Sequence, residues 1–167
     1  MNYFELFDLP VAFKVDHLQL RQAYMNFQKT YHPDKFINAS IEEQENALEQ
    51  SSVANKGFTL LNNEDKLLAY VLEIAGYIEI DEKYNLPNDF LLEMMDLNET
   101  WMEAETPDAK QIIIDQINSL QNEIYNPIKN YLFADKIIDI PEEGMLQIKD
   151  YYYKKKYLDR ILEDFHH

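Results

Sequence analysis

A proline set between two helical repeats constrains how the first part of this chain can fold. Leu20, Tyr24, Phe27 and Tyr31 recur at the three- and four-residue spacing of one helix face. Pro33 stops that repeat. Its ring steers His32 away from helical backbone angles, and it has no amide hydrogen to donate. The next helical signal opens at Ser40-Ile41-Glu42-Glu43, which reads as a capping box. The tripeptide His32-Pro33-Asp34 is therefore expected on an exposed turn between two helices.

The remaining signals in the first half are also helical. Asp16 is a good N-cap for the helix ending near Tyr31. Leu48, Ser51 or Ser52, Asn55, Phe58 and Leu61 lie at helical spacing along Ile41–Leu61 and are expected to face inward. Asn55 on that stripe must be hydrogen-bonded if it is buried. Asn63 caps a further helix from Glu64 to about Ala75, and Gly76 is a natural stop. Residues 1–75 thus form a first domain. Residues 76–87 form a connecting segment. Within it Tyr77-Ile78-Glu79-Ile80 alternates like a strand but has no partner strand, so a rigid joint packed by its apolar side chains is expected.

Residues 88–165 read as three helices joined by short loops, hence an antiparallel bundle. Asn88 or Asp89 caps the first, which runs from Phe90 to about Glu105. Thr106-Pro107 starts the second as N-cap and N1. It carries Ile113, Ile117, Leu120, Ile124 and Ile128. Pro127 marks either a kink or the start of another helix. Pro141 opens the last helix, with Ile148, Tyr151, Leu158, Ile161, Leu162 and Phe165 inward. On the helical wheel of the first, Phe90, Met94, Leu97, Trp101 and Ala104 share a narrow core sector. The opposite side carries Leu92 and Met95, with Leu91 on its flank, followed by Asp96, Glu99 and Glu103. An apolar cluster rimmed by acids marks a partner site, and methionine adapts its shape to what it binds. The alternative is that Leu91 and Leu92 pack on the connecting segment.

Composition narrows the function. The 167 residues include no cysteine, which removes disulfides, thiolate chemistry and cysteine-ligated metal clusters. The formal net charge is −16, the wrong sign for binding nucleic acid through phosphates. No apolar run reaches the length of a membrane span. Met1 to Pro10 lacks the basic start and apolar core of a signal peptide, so a cytoplasmic location is expected. His166-His167 reads as the start of an expression tag. His32 and Asp34 have no nucleophile or third orienting residue beside them, so no catalytic residue, metal site or cofactor is expected.

The tripeptide in this context resembles the J domain, the helical hairpin with which a co-chaperone stimulates the ATPase of a DnaK-type chaperone. Asn2-Tyr3-Phe4-Glu5-Leu6-Phe7-Asp8-Leu9-Pro10 resembles the opening of that family. Asn55, Phe58, Leu61 and Lys66-Leu67-Leu68-Ala69-Tyr70 resemble its later helices. The resemblance implies that His32, Pro33 and Asp34 engage the chaperone, helped by Arg21, Lys29 and Lys35, a thinner basic set than J domains usually carry. A J domain followed by an acidic three-helix bundle resembles the iron–sulfur co-chaperone HscB family over nearly the whole chain. That implies an all-α fold and two partners, a DnaK- or HscA-type chaperone and an IscU-type iron–sulfur scaffold. In that family the scaffold surface resembles Leu91, Leu92, Met95, Asp96, Glu99 and Glu103. It is joined by an aromatic that matches Tyr157 in Lys156-Tyr157-Leu158-Asp159-Arg160, where the family usually has phenylalanine. The lack of the N-terminal cysteine-rich segment of some eukaryotic relatives points to the bacterial type. Two other readings use the same residues: a general J protein serving other clients, and a partner-binding protein with a degenerate J domain. A hydrolase built on His32 and Asp34 is the most distant.

Overall fold

The structure is a computed structural model that describes residues 1–166; His167, the second residue of the expected tag, lies outside them. The described residues form helices and turns, with no strand, as the all-α expectation requires. They divide into two compact units. The first comprises Met1–Gly76 and Leu132–Ile140, the second Tyr77–Tyr131 and the described residues from Pro141 onward. The short stretch Leu132–Ile140, which the sequence pattern groups with the second half, therefore belongs with the first unit. The amide of Ile137 donates to the carbonyl of Val11 at 2.9 Å, and Leu132 and Ile140 are buried.

In the first unit, α1 (Tyr3–Leu6) carries a reciprocal capping box between Asn2 and Glu5. Helix α2 spans His17–Tyr31, with Asp16 Oδ1 accepting from the amides of Leu18 and Gln19. Helix α3 spans Ile41–Leu61, with Ser40 Oγ accepting from the Glu43 amide. Helix α4 spans Glu64–Ile74 behind its Asn63 cap, and Gly76 follows at φ 81°. The core gathers Phe4, Phe7, Phe13, Leu20, Leu61, Val71 and Leu72. The opening segment meets the Lys66–Tyr70 stretch directly. Tyr70 stacks on Tyr3, and its hydroxyl accepts from the Tyr3 amide.

The inward stripe of α3 differs from expectation. Leu48 is 61% exposed, and Asn55 is exposed as well. Ser51 and Leu61 are buried as expected, but Ala47, Ala54 and Gly57 are buried in place of Leu48, Asn55 and Phe58, one position back along the helix. These small side chains let neighbouring elements approach closely, a signal that a count of large apolar residues misses. Asn55 keeps the hydrogen bonds expected of it, from Tyr24 Oη at 2.5 Å and Gln28 Nε2 at 3.1 Å, but at the surface.

The second unit contains α5 (Asn88–Glu103), α6 (Pro107–Tyr125) and α8 (Glu142–Phe165); the single turn α7 (Lys129–Leu132), whose last residue belongs to the first unit, follows where Pro127 left two outcomes open. A new helix begins there; α6 does not continue through the proline. Helix α5 starts earlier than expected, with Pro87 at the N-cap position and no side-chain cap. Phe90, Met94, Leu97, Ile113, Ile117, Leu158 and Ile161 form the bundle core. Trp101 and Ala104 only border it. Trp101 stacks flat on Phe165 at 4.1 Å, with the Lys110 ammonium over its ring. In the segment before α5, Ile78 is buried but Ile80 is 79% exposed, so only one of the two packs.

A methyl group on Gly57 would lie 2.7 Å from Tyr3 Cδ1 and 3.2 Å from Phe7 Cε2. Gly57→Ala gains about 1 kcal/mol of helix propensity but must displace two rings of the core, which costs about 1–3 kcal/mol. A net loss of up to about 2 kcal/mol is expected in thermal denaturation followed by circular dichroism. A melting temperature at or above that of the parent would show that Tyr3 moves aside freely.

Candidate functional site

The turn between α2 and α3 is built by its own backbone. His32 closes α2 by donating its amide to the Gln28 carbonyl at 2.8 Å, then leaves the helical region at ψ 130°. Pro33 begins a short 3₁₀ turn, Pro33–Phe36, with the amide of Lys35 donating back to the His32 carbonyl. The His32 ring caps this turn, its Nδ1 accepting from the Asp34 amide at 3.2 Å. In the tautomer that leaves Nδ1 free to accept, the ring proton lies on Nε2. The Asp34 carboxylate lies 3.6 Å from Nδ1, and its side chain is 84% exposed. Lys35 Nζ donates to the Lys29 carbonyl at the end of α2. The turn therefore presents a donor, a fixed ring and a carboxylate outward. Arg21, Lys29 and Lys35 are exposed on the same hairpin.

Below the turn, polar contacts hold α2 to α3. Ser51 Oγ donates to Gln28 Oε1 at 3.0 Å, and Gln28 and Tyr24 both donate to Asn55. Tyr24 stacks on Phe58 at 4.4 Å, and Phe27 lies against Tyr31. These contacts set the register of the hairpin and thereby the position of His32.

The second candidate surface lies on α5. Leu92 is 61% exposed and Met95 56% exposed. Asp96, Glu99 and Glu103 are exposed and carry no ion pair among the described residues. Leu91 is half-buried and lines a groove with Tyr157 of α8. The alternative packing on the connecting segment thus applies in part to Leu91, whose groove includes Lys83, Asn85 and Leu86, and not to Leu92. Tyr157 is held edge-on to Phe90, with the Arg160 guanidinium over its ring. Met102, 83% exposed, was missed as a candidate. It lies seven residues after Met95, so the same wheel could have found it.

A polar clamp fastens the segment before α5 to α8. Tyr84 Oη donates to Asp150 Oδ1 at 2.9 Å, and Tyr153 Oη donates to Glu82 Oε2 at 2.5 Å. Lys149 Nζ reaches Glu82 Oε1 at 3.1 Å, and the rings of Tyr84 and Tyr153 stack at 4.5 Å. Burial, then the bond to Asp150, pushes the Tyr84 phenol up to about 12. Burial, then Glu82, raises Tyr153 as well. The bonds from Tyr153 and Lys149 lower Glu82.

No group of acids and histidines among the described residues is placed to hold a metal ion, and no helix is long and apolar enough to cross a membrane. The fold is that of a J-domain protein, an N-terminal J domain followed by a C-terminal helical domain. The sequence family described as the HSCB C-terminal oligomerisation domain matches residues 86–166. A co-chaperone protein HscB homolog from Shewanella amazonensis is 31% identical over 84% of this chain and 83% of its own length. Another from Psychromonas ingrahamii is 38% identical, with the match spanning 60% of each protein. The crystal structure of human co-chaperone protein HscB superposes with a TM-score of 0.75 at 27% identity, covering 99% of this chain and 80% of that one. The chain belongs to the HscB co-chaperone family.

Raised phenol values fix the sign of an alkaline effect. The folded clamp favours the protonated phenols, so its stabilisation is complete below the free phenol value of 10.0 and is lost as pH rises through about 12. The melting temperature is expected to fall over that window. Tyr84→Phe should fall less steeply there, and a profile parallel to that of the parent would show that Tyr84 ionises unhindered.

Proposed function

We propose that this protein is a co-chaperone of iron–sulfur cluster assembly that acts in the cytoplasm and is not itself an enzyme. The second unit binds an IscU-type scaffold protein through Leu91, Leu92, Met95, Asp96, Glu99, Glu103 and Tyr157. Residues 1–75 act as the J domain and stimulate ATP hydrolysis by a DnaK- or HscA-type chaperone through His32, Pro33 and Asp34. No cofactor is needed on this chain. The observation that carries the reading is the α5 face: two large apolar side chains stand in solvent beside three unpaired acids, on a chain of the HscB family.

The chemistry of each end fits its partner. An outward carboxylate on a rigid turn can pair with a basic group of the chaperone at little ordering cost. The apolar face of α5 gains by being covered, and its acids favour a partner with basic groups around an apolar patch. Holding both partners on one chain raises their effective concentration for each other. One observation keeps a second reading in view. The cations on the hairpin are few, and the ammonium of Lys35 is engaged by the Lys29 carbonyl, which favours a weak or degenerate J domain.

Steady-state ATP hydrolysis by the chaperone tests both ends. Stimulation is expected to be strong only when scaffold and co-chaperone are both present. Asp34→Asn should abolish it while leaving the circular-dichroism melt unchanged. Stimulation that ignores the scaffold would instead indicate a general J protein, and none at all would indicate the degenerate one. Leu92→Ala with Met95→Ala should weaken scaffold binding by about 1–2 kcal/mol per side chain. An unaltered dissociation constant would place the scaffold site elsewhere.

A further inference from the structure

A groove on the second unit has the opposite charge character to the chain around it. Its floor is Leu91 and Tyr157, and its walls carry Lys83, Lys156 and Arg160. All three cations are exposed, and none forms an ion pair among the described residues. Their neighbours on α8 are used internally: Lys149 pairs with Glu82, Lys154 with Asp150 and Lys155 with Asp159. The one carboxylate in the groove, Glu82, already accepts from both Lys149 and Tyr153. Lys156 and Arg160 rest over the rings of Tyr152 and Tyr157, with hydrogen-bond donors to spare. Three uncompensated cations around an apolar floor are unusual in a chain of net charge −16.

We infer that this groove receives an acidic side chain of the scaffold segment that covers Leu92 and Met95, so that the scaffold interface is bipolar. This rests on the scaffold-binding reading of α5. Leu91 joins the two surfaces, because it lines the groove and is the chain neighbour of Leu92. Basic groups of the scaffold segment face Asp96, Glu99 and Glu103. Its apolar groups cover Leu92 and Met95, and a carboxylate enters between Lys156 and Arg160. The ring of Tyr157 holds Arg160 over the groove floor and gives the carboxylate an apolar wall, which strengthens the pairing. A segment docked in reverse would set like charges against each other at both ends, so the arrangement fixes its direction.

The test is titration calorimetry of the full chain with the scaffold protein, at low and at moderate salt. Lys156→Glu with Arg160→Glu is expected to weaken binding at least about tenfold, a change of about 1.4 kcal/mol. The milder pair Lys156→Gln with Arg160→Gln is expected to weaken it about threefold and to flatten the salt dependence. It also answers for any failure of the reversed pair to fold. Lys129→Glu, which changes the net charge at an exposed position outside the groove, should leave the constant within about twofold. Groove variants that bind like the parent, while Leu92→Ala with Met95→Ala does not, would overturn the groove and leave the scaffold reading standing. If neither pair alters binding, the scaffold reading fails and the groove inference fails with it.

Discussion

The close approach that α3 permits is the constraint on which the first unit depends. Ala47, Ser51, Ala54 and Gly57 leave no bulk on the buried side of that helix. The rings of Tyr3 and Phe7 sit where a methyl on Gly57 would be, and Ser51 reaches Gln28 of α2 directly. With α2 held at that range, Tyr24 stacks on Phe58 and shares Asn55 with Gln28. The end of α2 is thereby fixed in register, and Pro33 converts that fixed end into a turn of one shape. The orientation of His32 and Asp34 is therefore inherited from small residues more than one helical turn away.

Much of this was legible in the sequence, and the misses share a cause. Capping residues and prolines are local signals, so Asp16, Ser40, Asn63, Pro33 and Thr106 marked helix starts and the turn correctly. The face of α3 was misjudged because periodicity weighed Leu48 and Phe58 above alanine and glycine, whereas burial followed what the neighbours could approach. Leu132–Ile140 was grouped with the wrong half because nothing in its composition announces that Ile137 pairs with the backbone of Val11. On α5 the wheel correctly separated buried Met94 and Leu97 from exposed Leu92 and Met95. It overrated Trp101, since periodicity gives direction and says nothing of how far along its axis a bundle core extends.

The candidate surfaces differ in legibility for the same reason. Leu92, Met95 and the acids after them stand out because an exposed apolar side chain contradicts the pattern of its own helix. The clamp does not stand out. Glu82, Tyr84, Lys149 and Tyr153 are ordinary residues in a polar stretch, and only the fold brings their hydrogen bonds together. Its effect is to tie the residues just ahead of α5 to α8. That orders one wall of the groove holding Leu91 and Tyr157 without any side-chain cap at the start of α5.

Charge placement then separates the two ends. A uniformly acidic protein would attract any basic partner to any face. Here the His32–Asp34 turn offers a single outward carboxylate among Arg21, Lys29 and Lys35, whereas α5 offers three acids beside exposed Leu92 and Met95. A basic, apolar partner is favoured at α5 by both burial and charge, and at the turn by neither. Conversely, a partner with an acidic patch and one basic group meets complementary charge at the turn and repulsion at Asp96, Glu99 and Glu103. The net charge of −16 thus conceals two local patterns, a carboxylate set among cations at the turn and acids beside exposed apolar side chains on α5, and a partner complementary to one is disfavoured at the other.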